Sequence, residues 1–214
     1  MSKISFLNHF KNLYSIYYKE TDPFNKFENT YSLGKINTIK EHGCVILWGG
    51  EDISPSIYNQ KPKFTSASPK PSERDTLEIE YAKFAIKNKM PIIGVCRGAQ
   101  LMCCLSGGSL YQHIQDGTHH KLHSVITYDG QNLITSSCHH QAMNLNGTKH
   151  ELLAWDSKPN TNVFDEHTKT QVTIPEVVYF LETNCLAIQG HPEWMNPQNE
   201  FVQWCVTQME KYFV

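Results

Sequence analysis

The apolar residues of this chain fall into short runs separated by polar stretches, and the runs differ in period. Two are continuous: residues 44–48 (CVILW), and the stretch opened by Pro91 that holds Ile92, Ile93 and Val95. Continuous runs of this length predict central strands of a parallel sheet, covered on both faces. Over residues 73–89 the pattern changes to a helical period that sets Leu77, Tyr81, Phe84 and Ala85 on one face. A second helix is predicted from Arg97 through Ala99, Leu101, Met102 and Leu105, ended by Gly107 and Gly108. A third closes the chain over residues 196–212, with Phe201, Trp204, Cys205, Met209 and Tyr212 turned to the core.

The second half reads largely as strand. Residues 124–128 and 132–136 flank Asp129-Gly130, a strong hairpin signal. Residues 151–155 make a further strand, and residues 176–181 and 185–189 pair around the turn at 182–184. Weaker patterns predict a strand at 3–7, a helix or folded loop at 10–18, an edge strand near Tyr31 within an irregular stretch, and a short helix at 36–41. Residues 110–114 read as a continuing short helix, residues 61–72 as an exposed loop and residues 156–170 as a polar loop. Strands interleaved with helices, without an internal repeat, predict one α/β domain over residues 1–214.

Size and charge narrow the classes. A chain of 214 residues can bury a sizeable core. Its net charge of -2 gives no basic footprint for nucleic acid. No apolar run approaches a membrane span, and MSKISFLNHFKNLY lacks an apolar signal core, so a cytoplasmic protein that binds no membrane is expected. The seven cysteines are odd in number and include no Cys-x-x-Cys pair, which fits free thiols and argues against a zinc ribbon or a thioredoxin-type centre. His113, His119, His120 and His123, with Asp116, are read as solvated or hydrogen-bonding groups. No metal and no cofactor is assigned.

The candidate chemistry centres on Cys96. Gly94 and Gly98 bracket it in a Gly-x-Cys-x-Gly frame, which permits a strained strand-to-helix turn with the thiol pointing out of the sheet. At a helix N-terminus the dipole and unpaired N–H groups favour the thiolate. Taken alone, the frame fits a buried structural cysteine equally well. Other segments supply what a nucleophile needs. Gly49-Gly50 follows the first central strand at its carboxyl end, where a backbone N–H can face a bound ligand. In QGHPEW, His191 and Glu193 lie two apart, so on extended backbone they point to the same side, stiffened by Pro192. Cys96 as nucleophile, His191 as proton acceptor and Glu193 as its orienting carboxylate make a complete set, with the N–H groups of Gly50 and Arg97 holding the oxyanion. Ser137, His139, His140 and Gln141 form a polar cluster suited to a site wall. Arg74 reads as a surface group of the long helix.

GVCRGAQ, WGGEDISPSIY, SSCHHQ and QGHPEW together resemble the class I glutamine amidotransferase superfamily. Within it they are most similar to the branch of γ-glutamyl-γ-aminobutyrate hydrolases, the C26 peptidase group, over residues 44–194. The resemblance implies a flavodoxin-like, three-layer α/β sandwich with a mostly parallel central sheet and a nucleophile elbow. It implies a triad of Cys96, His191 and Glu193, an oxyanion hole at Gly50 and Arg97, and cleavage of the γ-amide of glutamine or a γ-glutamyl compound through a thioester. Gln100, Ser137, His139 and His140 fall at positions near the substrate, and Arg74, Asp75 and Glu78 match an RD-x-x-E element. Gly190 replaces an aromatic residue common in relatives, which implies looser packing around His191, and Ser136-Ser137-Cys138 replaces Asn-Ser-Phe. The expected function is a glutaminase passing ammonia to a separate synthase subunit. The alternatives are a free-standing γ-glutamyl hydrolase and a catalytically silent interaction module.

Overall fold

The computed structural model describes residues 12–15, 30–32, 43–115 and 121–213. The strand expected at 3–7, the helix expected at 36–41, and Asp116, His119 and His120 lie outside them. In chain order the first elements are β1 (Asn12–Ser15), β2 (Thr30–Ser32), β3 (Gly43–Leu47), α1 (Glu73–Lys87), β4 (Ile92–Val95) and α2 (Arg97–Leu105). The next are β5 (Ser109–Tyr111), β6 (His113–Ile114), β7 (His123–Thr127), β8 (Asn132–Thr135) and β9 (Ala142–Asn144). β10 (His150–Asp156), β11 (Thr161–Phe164), β12 (Lys169–Val172), β13 (Pro175–Phe180), β14 (Cys185–Ile188) and α3 (Glu200–Phe213) complete them.

The main sheet runs β2-β1-β3-β4-β14-β13-β10-β7-β8. It is parallel from β2 to β14 and antiparallel from β14 to β8. Because successive strand residues face opposite sides, the continuous runs feed two cores at once. Val45, Leu47, Ile92 and Ala187 pack with Tyr81, Ala82 and Ala85 of α1 and Ala99 and Leu101 of α2. Cys44, Ile46, Ile93, Val95, Leu186 and Ile188 pack on the other face with Phe201, Trp204, Cys205 and Met209 of α3. The expected α/β sandwich of flavodoxin type is therefore present, with helices on both faces of the sheet.

α1 begins with a reciprocal cap in which the Ser72 hydroxyl accepts from Asp75 N–H and the Asp75 carboxylate accepts from Ser72 N–H. The face it buries is not purely apolar. Asp75 and Glu78 are buried beside Tyr81, Ala82 and Ala85, whereas Leu77 and Phe84 are only partly covered.

Three expected elements take other forms. Residues 110–114 extend as β5 and β6 instead of a helix, because β5 pairs antiparallel with β9 and β6 with β11. Residues 156–170 are not all loop: β11 and β12 form a hairpin anchored by fully buried Val163. The stretch 10–18 contains β1, a strand held between β2 and β3. β1, β5 and β6 pair with strands distant in sequence, and the β11–β12 hairpin is itself tied to β6, so tertiary context overrides local propensity.

Candidate active site

β4, β14 and the loop after β3 end together at the sheet's carboxyl edge, with Val95 paired to Ile188 and Leu47 to Gly94. The elbow at this edge is built by close packing. A Cβ on Gly98 would lie 2.1 Å from Leu47 O, and one on Gly94 would lie 2.7 Å from Gly98 O, so neither position admits a side chain. Cys96 stands at φ 49, ψ -107. Such a conformation costs on the order of 1–3 kcal/mol and persists only where surroundings impose it. Here they do: Cys96 N–H donates to Ile188 O at 2.8 Å, and Cys96 O accepts from Gln100 N–H at 3.0 Å.

His191 follows β14. Its N–H donates to Ser136 O at 2.8 Å, tying it to the loop after β8. Nδ1 lies 2.7 Å from Glu193 Oε1, with both side chains buried. The contact does not arise from extended backbone as the spacing suggests; Pro192–Trp194 is a 3₁₀ turn that folds Glu193 back onto the ring. Among the described residues, buried Glu193 Oε2 has no hydrogen-bond partner, which leaves the imidazole as the carboxylate's partner. Trp194 covers the other side, its ring stacked on His191 at 3.6 Å between centroids and 3° between planes.

The imidazole and the thiol-bearing carbon meet across Gly49. A Cβ there would lie 2.8 Å from His191 Cε1 and 3.5 Å from Cys96 Cβ. The packing around His191 is tight despite Gly190, since a Cβ on Gly190 would lie 2.3 Å from Thr135 Oγ1 and 2.8 Å from Ser136 O. Looser packing is therefore not what the glycine produces.

The thiol also departs from expectation. Burial, and then the charge of Glu193, push the Cys96 pKa up to about 12, and the Arg97 N–H directed at the sulfur offsets this only in part. The resting group at neutral pH is the thiol, so its proton has to leave as it attacks.

The remaining predicted residues separate into two sets. Arg97 is buried, its guanidinium paired with Asp75 and Glu78 of α1. Gly50, at φ 146, lies against the Arg74 guanidinium. His140 joins Asp52 at 2.9 Å, and both line a cavity of about 740 Å³ with Glu51, Arg74 and Arg97. The hydrogen bond that His140 donates to the Asp52 carboxylate raises the His140 pKa. Burial pushes Asp52 up, but the hydrogen bonds from His140 and Thr65 bring it below the usual range. His139, Gln100 and Ser137 are buried as well, and none of them lines that cavity. His139 donates through Nδ1 to Gln141 O at 2.8 Å, with Nε2 3.8 Å from Glu176, so its ring faces the interior. Gln100 Nε2 points to Gln141 O and Gln189 Oε1 at 3.4 Å each. His123 pairs with the same buried Glu176 at 3.2 Å.

Arg74 is no surface decoration. Its Nη2 donates to Gly49 O at 2.9 Å and Trp48 O at 3.2 Å. Asp52 and Trp194 were not singled out from sequence, although both lie inside the motif stretches; their positions beside Gly50 and His191 were the available signal.

A cysteine elbow at the edge of a flavodoxin-type sheet, faced by a buried His–Glu pair, belongs to the class I glutamine amidotransferase-like superfamily. The chain is a member of the peptidase C26 family, whose pattern matches residues 35–193. Among curated relatives, a Mycobacterium tuberculosis protein provisionally named a glutamine amidotransferase is 29% identical over 167 residues, 71% of this chain and 53% of that protein. The γ-glutamyl-γ-aminobutyrate hydrolase of Escherichia coli O157:H7 is 28% identical over 75 residues, 35% of this chain and 28% of that one. The chain spans 53% and 65% of the lengths of the first two curated relatives it matches. A solved glutamine amidotransferase from Thermotoga maritima shares the fold with TM-score 0.59 at 15% identity, over 95% of this chain and 85% of its own. PurLQS from the same organism does so at TM-score 0.57 and 14% identity, over 95% and 99%.

Proposed function

We propose that this chain hydrolyses the γ-amide of glutamine or of a γ-glutamyl compound, with Cys96 as nucleophile. The Cys96 sulfur attacks the γ-carbonyl carbon while His191 Nε2 takes the thiol proton, and Glu193 accepts from Nδ1–H and stabilises the imidazolium that forms. The carbonyl oxygen becomes an oxyanion held by the N–H groups of Gly50 and Arg97. The C–N bond then breaks, and His191 returns the proton to the leaving amine. Water, deprotonated by His191, attacks the thioester and regenerates the thiol.

The observation that carries this reading is the meeting of Cys96 and His191 against Gly49, with Glu193 2.7 Å behind the ring. In one form of the reaction the amine is ammonia, passed to a separate synthase subunit in the cytoplasm. A second form, a free-standing γ-glutamyl hydrolase, is supported by the peptidase C26 match and by the γ-glutamyl-γ-aminobutyrate hydrolase among the relatives. Ammonia release from glutamine and amine release from γ-glutamyl-p-nitroanilide, each with and without a co-purified synthase, test both. Activity on the anilide without a partner selects the second form, and glutamine turnover only with a partner selects the first. If neither substrate is turned over while Cys96 stays reduced and alkylable, the hydrolase reading fails.

A further inference from the structure

Both backbone donors proposed for the oxyanion are anchored by one side chain. Glu78 of α1 is fully buried, and its two oxygens are divided between two arginines. Oε1 accepts from Arg74 Nε at 2.8 Å, and Oε2 accepts from Arg97 Nη1. Each arginine governs one donor.

Arg97 is the first residue of α2, directly after Cys96 at the N-cap, so its own N–H lies beside the thiol at the helix N-terminus. Its side chain is held from below by Glu78 and Asp75, which fixes the first turn of α2 against α1. Arg74 acts on the other donor through the peptide it grips. It donates to Gly49 O at 2.9 Å. In a trans peptide the N–H of the next residue points opposite to that carbonyl, so holding Gly49 O on the arginine's side turns Gly50 N–H away from it. The loop's two sides are marked by its glycines: a side chain at Gly50 would meet Arg74, and one at Gly49 would meet His191 and Cys96. Gly50 stands at φ 146, which favours glycine, so nothing in its own side chain holds this peptide. The Arg74 fork does.

We propose that Glu78 is a positioning residue that sets the Gly50 and Arg97 N–H groups in register for the oxyanion, through Arg74 and Arg97 respectively. This rests on the hydrolase reading above. Buried ion networks are weak evidence of stabilisation, since apolar replacements of similar volume often do as well; fixing one arrangement against others is their better-attested use. Asp75 touches Arg97 and caps α1, whereas Glu78 joins the two arginines.

Glu78→Gln keeps the shape but sets an amide N–H₂ against one guanidinium. Arg74→Lys keeps the charge and loses the fork that joins Glu78, through Nε, to the Gly49 and Trp48 carbonyls, through Nη2. Hydrolysis of γ-glutamyl-p-nitroanilide is measured beside alkylation of Cys96 by iodoacetamide, a displacement that forms no oxyanion. The expected result is a fall in kcat of about 10²- to 10³-fold, the cost of a lost oxyanion donor, with KM changed less than threefold and alkylation within twofold of wild type. Should Glu78→Gln not fold, as read from its circular dichroism, Arg74→Lys supplies the same comparison. Unchanged kcat, or alkylation falling in step with kcat, overturns the positioning role while leaving the hydrolase reading intact. A wild-type protein inactive on the anilide and on glutamine overturns both.

Discussion

Glu193→Gln isolates one quantity in the proposed mechanism, the charge behind His191. The amide oxygen can still accept from Nδ1–H, so ring orientation and tautomer are retained and only the negative charge is lost. The native contact is 2.7 Å between Nδ1 and Oε1, with the two side chains 4% and 5% exposed, so water screens it little. For unit charges about 4 Å apart at an effective dielectric of about 20, the attraction is about 4 kcal/mol. Thiol attack creates the imidazolium, and the substitution withdraws that attraction from the transition state more than from the neutral ground state. At about 1.4 kcal/mol per decade, kcat should fall about 10³-fold. The same charge helps push the Cys96 thiol up, so its removal eases deprotonation slightly and works against the loss. Stopped-flow measurement of the acylation phase with γ-glutamyl-p-nitroanilide reads this step. A loss below tenfold in a folded variant would mean that Glu193 orients the ring without stabilising its charged form.

Three further outcomes are expected. In Gly98→Ala the new methyl would sit 2.1 Å from Leu47 O, a backbone atom, so urea denaturation should reveal a loss of about 3 kcal/mol or more; a loss under 1 kcal/mol would show that α2 can slide off β3. Cys96→Gly should be about 1 kcal/mol more stable than Cys96→Ala, the reverse of the usual order, because φ 49 suits glycine; equal thermal midpoints would remove the strain argument. The His140–Asp52 pair should make stability pH-dependent. The raised His140 pKa gives stability that is complete below about 6.5 and lost as pH rises through the folded value; the lowered Asp52 pKa gives stability present above about 3.9 and lost at lower pH. Asp52→Asn should therefore cost about 1 kcal/mol near pH 5.5, discounted for the partial exposure of both groups, and less near pH 8.5; a larger deficit at the higher pH contradicts the pairing.

Elements whose signal is local are legible in the sequence, and elements that depend on distant partners are not. The runs at 44–48 and 92–95 were recognisable as central strands because a strand covered on both faces cannot alternate. The Asp129-Gly130 hairpin carried its turn chemistry with it, and Gly130 has φ 83 as that turn requires. β11 and β12 gave no such signal, since only Val163 is fully buried and the rest of the hairpin is polar or partly exposed. On α1, periodicity weighted Leu77 and Phe84, whereas the face that is buried carries Asp75 and Glu78. A hydrophobic count cannot anticipate buried carboxylates whose partners sit on Arg97 of another helix, nineteen and more residues away.

The order of motifs along the chain determined the fold class and nominated Cys96, His191, Glu193, Gly50 and Arg97, because glycine-bracketed turns and strand-end positions follow from short-range sterics. Tertiary structure alone decided the rest. Desolvation leaves Cys96 a thiol in spite of its helix terminus, a 3₁₀ turn carries Glu193 back to His191, and Arg74 is drawn from a helix surface to the carbonyls of the Gly49 loop. The physical reason is common to all three. Burial and charge pairing are summed over segments that meet only when the sheet closes, so no window along the chain contains them.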